Sequence, residues 1–403
     1  RRVRRPSSPA TTQRSRGPWP PVADRTQKGS ALNLDFSDDQ KMLRDHVRRF
    51  LTDRCPSSAV RAVLESDLTH DAQVYTGLAE LGVLGAAIPE EFGGAGQGPL
   101  ELCVVAEELG RALAPVPVAS SIYLAADFIM TAGSEAQKRH WLPKLAAGEA
   151  IGCFAHGEAP GRTTVRNIAT TATDGRVSGV KAPVADAGAA DFAIVSVRNA
   201  DGLSLRLVEL NAEGVRVDTV DSIDPARKQA RITFENAPSE PLGDGADGAR
   251  TVETVLDRAA VLLAFEQIGG ADRALETATE YARERMAFGR QIGSFQAIKH
   301  MLADMYVSAT LARSNAYYGA WAISNGAAET PVAAATARVS ATQAYQHCAK
   351  NNIQVHGGMG FTWAFDCHLH YRRANGLALA LGPLSAWEDR LIEQMRNANA
   401  SAA

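Results

Sequence analysis

At 403 residues, 45% apolar and 22% charged, the chain exceeds one average domain and has the composition of an ordinary globular protein. No apolar run approaches the roughly 18–20 residues needed to cross a bilayer, which argues against a membrane protein. The net charge of −3 divides into +7 over residues 1–30 and −10 over the rest, so no basic stripe outside that segment offers a nucleic-acid surface.

Residues 1–30 are rich in Arg, Ser, Pro and Thr and read as a disordered tail. Pro6, Pro9, Pro18, Pro20 and Pro21 would break the amphipathic helix of a transit peptide. The five cysteines, Cys55, Cys103, Cys153, Cys348 and Cys367, are odd in number and form no C-x-x-C pair. They read as reduced packing thiols of a cytoplasmic protein.

The first ordered helix is expected near Phe36, where Ser37 and Gln40 make a capping box ahead of Leu43, Val47, Phe50 and Leu51 on one face. Further helices are expected over 72–81, 100–113, 120–132 and 135–145, making residues 31–150 an all-helical domain. The glycine-rich stretch Ile88 to Gly98 lacks the flanking strand and phosphate-binding helix of a dinucleotide fingerprint. Over 151–244 the hydrophobic period becomes two, with strands at 177–180, 192–197, 203–210, 215–220 and 230–234. Turn pairs such as Asp174-Gly175 and Glu213-Gly214 punctuate them, which suits a small antiparallel barrel or sandwich. Residues 245–403 return to helix, over 251–285, 295–325, 331–355 and 385–399.

The segment Arg283 to Gln296 ends one long helix on basic residues, breaks at Gly289 and Gly293 and restarts another. Cations, glycine-freed N–H groups and a helix N-terminus together suit a phosphate or pyrophosphate. Read from the residues alone, an ordinary helical hairpin with a basic loop remains the plainer alternative.

Four stretches in this order resemble the acyl-CoA dehydrogenase family: Ile88-Pro-Glu-Glu-Phe-Gly-Gly-Ala-Gly96, Gln137-Lys138 with Leu142-Pro143, Arg285-Met-Ala-Phe-Gly289 with Phe295-Gln296, and Gln354-Val-His-Gly-Gly-Met-Gly-Phe361. The resemblance covers about 36–399. It implies an α+β fold of N-terminal helical domain, middle antiparallel β-barrel or sandwich, and C-terminal four-helix-bundle-like domain. It also implies FAD shared across the interface of a homo- or hetero-oligomer, dimer or tetramer, with an acyl-CoA thioester against the flavin. A carboxylate would take the α-proton while the β-hydrogen leaves as hydride to the flavin, and an electron-transfer acceptor protein would follow. Carried over singly, Arg285, Phe288 and Gln296, with Gln354, Gly357 and Gly358, resemble the residues that meet the adenosine diphosphate half of FAD.

The pattern also departs from the family. The two usual positions of the catalytic base fall on Ala259 and Leu381. The nearest carboxylate is Glu266, in the apolar run 262–270, where it is either a substitute base or a structural group pairing with a neighbouring helix; Asp257 is a weaker candidate. Where many relatives have Thr-Glu-Pro-x-x-Gly-Ser-Asp, this chain has His156-Gly-Glu-Ala-Pro-Gly-Arg-Thr163. Where they have Lys-x-Trp-Ile-Thr facing the flavin, it has Lys181-Ala-Pro-Val-Ala185. The continuation from Gly360 to Trp363, with Asp366, His368, Leu369, Arg372 and Arg373, resembles an actinobacterial subgroup that includes heteromeric members acting on sterol side chains. Two readings stay open: a self-sufficient dehydrogenase, or a catalytically silent subunit completing a paralogue's FAD site. His368 and His370 lack the further ligands a metal site requires, so no metal is expected.

Overall fold

The structure, a computed structural model, describes residues 36–402 apart from Pro160, Arg162, Ala200, Asp201 and residues 244–246. The tail expected over 1–30 lies outside the described residues.

Helix α1 (Asp38–Arg54) starts where its capping box closes: the Ser37 hydroxyl accepts from Gln40 N at 3.2 Å and Gln40 Oε1 accepts from Ser37 N at 2.9 Å. It is followed by α2 (Ser57–Leu64), α3 (Ala72–Glu80) and α4 (Pro99–Arg111). A π-helical stretch, Ala119–Ala126, runs into α5 (Asp127–Ala132), and α6 (Glu135–Ala146) ends this part. The sequence pattern does not reveal α2, a short helix after Pro56.

Eight strands form one sheet: β1 (Gly152–Ala155), β2 (Thr171–Thr173), β3 (Arg176–Ala185), β4 (Phe192–Asn199), β5 (Gly202–Glu209), β6 (Val215–Val220), β7 (Gln229–Pro238) and β8 (Glu240–Leu242). The order is β6-β7-β3-β2-β4-β5-β8, with β1 also on β4. The ladders are antiparallel except that β1 and β2 run parallel to β4, so the sheet is mixed where a purely antiparallel one was expected. Strand β4 shows why. Phe192 and Ile194 face the helical core, while Ala193, Val195 and Val197 face a second core closed by Val177, Ile232 and Phe234. A strand buried on both faces reads as a continuous apolar run and accepts parallel neighbours.

Helix α7 (Gly248–Glu284) has 37 residues, about 55 Å at the α-helical rise. A two-residue hairpin, β9 (Met286–Ala287) and β10 (Arg290–Gln291), connects it to α8 (Gln296–Asn325). Then come α9 (Thr330–His356), α10 (Cys367–Leu379) and α11 (Leu384–Ala402). Among the described residues, no helix is long and apolar enough to cross a membrane.

Glycines let α4 and α7 touch backbone to backbone. A Cβ on Gly269 would lie 1.9 Å from the Glu107 carbonyl oxygen, and one on Gly110 would lie 1.8 Å from that of Glu266. On the other side, a Cβ on Gly270 would sit 2.4 Å from the Tyr345 ring on α9. Gly269→Val is therefore expected to destabilise the protein by about 3 kcal/mol, the upper end of the usual overpacking range, because the clash is with backbone. A thermal melt within about 1 °C of the parent would contradict this contact.

Candidate active and cofactor site

The hairpin after α7 turns on Phe288 (φ 53°) and Gly289 (φ 77°), both left-handed, the geometry of a tight two-residue β-turn. A phenylalanine tolerates that backbone poorly, and its side chain is 95% exposed. Arg285, at the end of α7, and Gln296, opening α8, are also exposed. The Arg290 guanidinium covers the Phe295 ring at 4.0 Å, and no side chain caps α8. The sequence-derived loop is thus a projecting platform of an aromatic ring, basic residues and an uncapped helix start.

The second expected stretch lies against the first. His356, the last residue of α9, stacks on Tyr281, one turn before Arg285 on α7, with centroids 4.0 Å apart at 23°. Gly357 follows at φ 58° and ψ −138°, a conformation open essentially to glycine. A Cβ on Gly357 or Gly358 would meet nothing within 4 Å, so both backbones face open space, and Gln354 is exposed beside them. Gly360 differs: its Cβ would strike the Ile353 carbonyl oxygen at 2.6 Å, which makes it a packing glycine. The end of α7 leading to Arg285 and Phe288 and the end of α9 bearing Gln354, Gly357 and Gly358 are joined by a Tyr281–His356 stack that sequence reasoning missed.

The positions expected to hold a base are different in kind. Ala259 is fully buried, and Leu381 packs against the core beside Trp387. Leu381 sits at φ 60°, and its carbonyl accepts from Trp387 Nε1 at 3.1 Å. Arg338 donates to the carbonyls of Leu377 and Ala380. Glu266, 1% exposed, accepts from Arg227 Nη1 at 3.0 Å and lies 3.7 Å from Arg373 Nη1. Arg373 also holds Asp224 at 2.5 Å. Burial opposes the Arg227 charge, yet Glu266, Asp186 and Asp224 hold its pKa above the ordinary value. Glu266 thus sits among the guanidinium groups of Arg227 and Arg373, paired as a structural carboxylate would be. Asp257 is likewise buried and paired with Arg390 at 2.8 Å; burial raises its pKa to about 6, against the pull of Arg390.

On the sheet, the departing segments meet each other. The wholly buried Lys181 amine donates to Glu158 Oε1 at 2.8 Å, to the His156 carbonyl at 3.1 Å and to Ser196 Oγ at 3.3 Å. His156 Nδ1 lies 2.9 Å from Ser196 Oγ, and its ring stacks on Phe154. Burial would raise the Glu158 pKa, but hydrogen bonds from Lys181, Thr170 and Ala169 N hold it at about 2. Burial lowers Lys181 to about 8 against the pull of Glu158; burial and then the Lys181 charge lower His156 to about 4. No motif marked this cluster, because its members come from β4, β3 and the loop after β1.

His368 and His370 do not converge: His368 faces Arg61, and His370 Nδ1 meets the Tyr345 hydroxyl at 3.2 Å. Among the described residues no group of three or more His, Cys, Asp or Glu could hold a metal ion.

The sheet cluster carries a pH dependence. His156 and Glu158 both titrate below their ordinary values of 6.5 and 4.5, so the unfolded chain binds more protons as the pH falls. Their stabilisation is complete above pH 6.5; that of His156 is lost toward pH 4 and that of Glu158 from 4.5 toward 2. The melting temperature is expected to fall between pH 6.5 and 4, with a shallower fall in His156→Asn; equal slopes in both proteins would refute the assignment.

Comparison with known proteins matches residues 37–149 to the acyl-CoA dehydrogenase N-terminal domain and residues 246–389 to the C-terminal domain. Acyl-CoA dehydrogenase IpdE2 of Mycobacterium tuberculosis is 35% identical over 346 residues, 85% of this chain and 93% of that protein. Among solved structures, a steroid acyl-CoA dehydrogenase variant, Tcur3481-Tcur3483, superimposes with a TM-score of 0.83 at 30% identity, over 90% of this chain and 99% of that one. The ChsE4-ChsE5 complex of Mycobacterium tuberculosis gives 0.82 at 25% identity, over 91% and 99%. With both family domains flanking the sheet in the expected order, the chain belongs to the acyl-CoA dehydrogenase family of FAD-dependent oxidoreductases.

Proposed function

We propose that this chain is the supporting subunit of a heteromeric acyl-CoA dehydrogenase, presenting the adenosine side of a FAD site while a paralogous partner supplies the base. The observation that carries this reading is the pair of base positions: Ala259 and Leu381 are apolar and packed into the core, and Glu266 is held by Arg227 and Arg373. The likeness to Tcur3481-Tcur3483 and to the ChsE4-ChsE5 complex supports a pairing of different chains. Helix α8 leaves Tyr306, Val307 and Leu311 more than half exposed, apolar surface of the kind a subunit interface covers.

The residues fit FAD on one side. The open backbones of Gly357 and Gly358, the exposed Arg285 and Phe288 and the uncapped start of α8 suit a pyrophosphate and an adenine ring. The other side fits less well, because Lys181 and Glu158 pair with each other and His156 lies against Ser196. When bound, FAD supplies the hydride acceptor for desaturating an acyl-CoA. This chain's residues then hold the adenosine end, orient it across the subunit boundary and exclude water. A sterol-type acyl group is the substrate class, supported by the steroid relative, and an electron-transfer acceptor protein is the downstream partner. Five buried free cysteines suit the reducing cytoplasm.

Purification alone and together with the paralogous chain tests this. FAD retention and turnover are expected only in the co-purified complex; yellow, active protein from this chain alone would overturn the proposal. Within the complex, Glu266→Gln is expected to cost about 3–5 kcal/mol of stability by stranding buried arginine charge, with turnover per folded protein retained. A selective loss of turnover at parental stability would return Glu266 to the role of base.

A further inference from the structure

We propose that Arg61 of α2 and Glu65, the residue that caps its C-terminus, are with Trp363 positioning residues for the glycine cradle, bracing it from the N-terminal helical domain. The inference deepens the FAD-clamp reading above and rests on it. The segment from Gly357 to Asp366 opens as a 3-10 turn, Gly357–Phe361, and presents Met359, Phe361 and Trp363 39%, 80% and 50% exposed. Its first end is fixed by His356, whose Nδ1 is 2.8 Å from the Asn352 carbonyl and whose ring stacks on Tyr281. Its far end is fixed from α2. Arg61 donates through Nη2 and Nε to Asp366 Oδ1 at 2.7 and 3.1 Å, and through Nη2 to the Phe365 carbonyl at 3.3 Å.

The same guanidinium lies 5.4 Å over the Trp363 ring, and its Nη2 is 3.3 Å from His368 Nε2. Trp363 stacks on His368 with centroids 4.3 Å apart at 15°, and its Nε1 donates to Glu65 Oε1 at 2.8 Å. Glu65 follows the last residue of α2, and its N–H donates to the Arg61 carbonyl at 2.8 Å, which keeps the two residues together at the end of the helix. Between the two anchors Phe365 packs edge-on to both Tyr281 and His356, closing the circuit under the cradle.

Glycines at two adjacent open positions would let this short turn, left unbraced, reach further backbone states, and a ligand that needs one of them binds more weakly by the fraction populated. The Arg61 fork, the stacked Trp363 and the Glu65 acceptor remove those alternatives before FAD arrives, which is preorganisation. All three residues lie at or near the surface, so their loss should spare the core.

The test is titration of FAD into the deflavinated oligomer, followed by quenching of flavin fluorescence, with thermal melts alongside. Arg61→Ala and Trp363→Ala are each expected to raise the FAD Kd at least about tenfold, the factor for a competent loop population near one tenth. Trp363→Phe, which keeps the stack, should recover most of the affinity, and the melts should stay near the parent. Gly358→Val separates the two ideas: no side chain opposes its new Cβ, so stability should hold while FAD binding is lost. If Gly358→Val loses FAD but Arg61→Ala and Trp363→Ala bind within twofold of the parent, the brace is wrong and the clamp stands. If Gly358→Val binds normally, the clamp fails and the brace with it, whatever the α2 variants do.

Discussion

The crossing of α4 over α7 is the constraint on which the other placements depend. With no Cβ on Gly110 or Gly269, each backbone rests on a carbonyl oxygen of the other helix, which leaves no room for a side chain or water. Acidic groups flanking the crossing must therefore be neutralised in place. Glu107 meets Arg313 of α8 at 3.0 Å, Glu108 meets Arg48 of α1 at 2.6 Å, and Arg111 pairs with Glu276 further along α7. Burial still raises the Glu107 pKa against the pull of Arg313, the expected sign for a carboxylate whose partner does not fully repay its lost hydration. Such a joint is stiff because neither helix can slide without moving a buried charge away from its partner.

Stiffness at the crossing has a use at the far end of α7. Tyr281 lies twelve residues beyond Gly269, about 18 Å along the rod, and the hairpin bearing Phe288 follows directly. Fixing α7 against α4 therefore fixes Tyr281, and Tyr281 fixes His356 and the start of the glycine cradle. On the other face of the same helix, Gly270 admits the Tyr345 ring of α9, so α9 is set against α7 by the neighbouring glycine. The two halves of the platform proposed to meet the cofactor, about seventy residues apart in sequence, are tied to one helix.

Local chemistry was readable from the sequence. The Ser37–Gln40 capping box, the Asp174-Gly175 turn at φ 50° and 76°, and the Phe288-Gly289 break all act through neighbours a few residues away. What escaped was the pairing of distant charges. Arg227 and Glu266 lie in a strand-to-sheet turn and a helix, Arg373 lies in a helix that the mixed polar pattern of 367–379 concealed, and Arg61 reaches residues about three hundred positions away. An arginine in a list of arginines carries no sign of its partner. Nothing in the sequence around Glu266 names Arg227 or Arg373 as its neighbours.

Those pairings bear on the proposal that this chain lacks a base of its own. A base position emptied to alanine or leucine would leave a cavity or a stranded charge if the surroundings were unchanged. Here Ala259 lies in a fully packed helix face, and Leu381 fills space between the main core and Trp387. On the sheet, Lys181, Glu158, His156 and Ser196 saturate one another where an unpaired group would otherwise face a ligand. The side proposed to meet adenosine shows the reverse: nothing stands within 4 Å of a Cβ on Gly357 or Gly358, and the Phe288 ring, edge-on to Phe295, is 95% exposed. A chain that closes one half of a shared site and leaves the other open is suited to face a cofactor held jointly with another subunit, because only surfaces left incomplete by the fold gain from that contact.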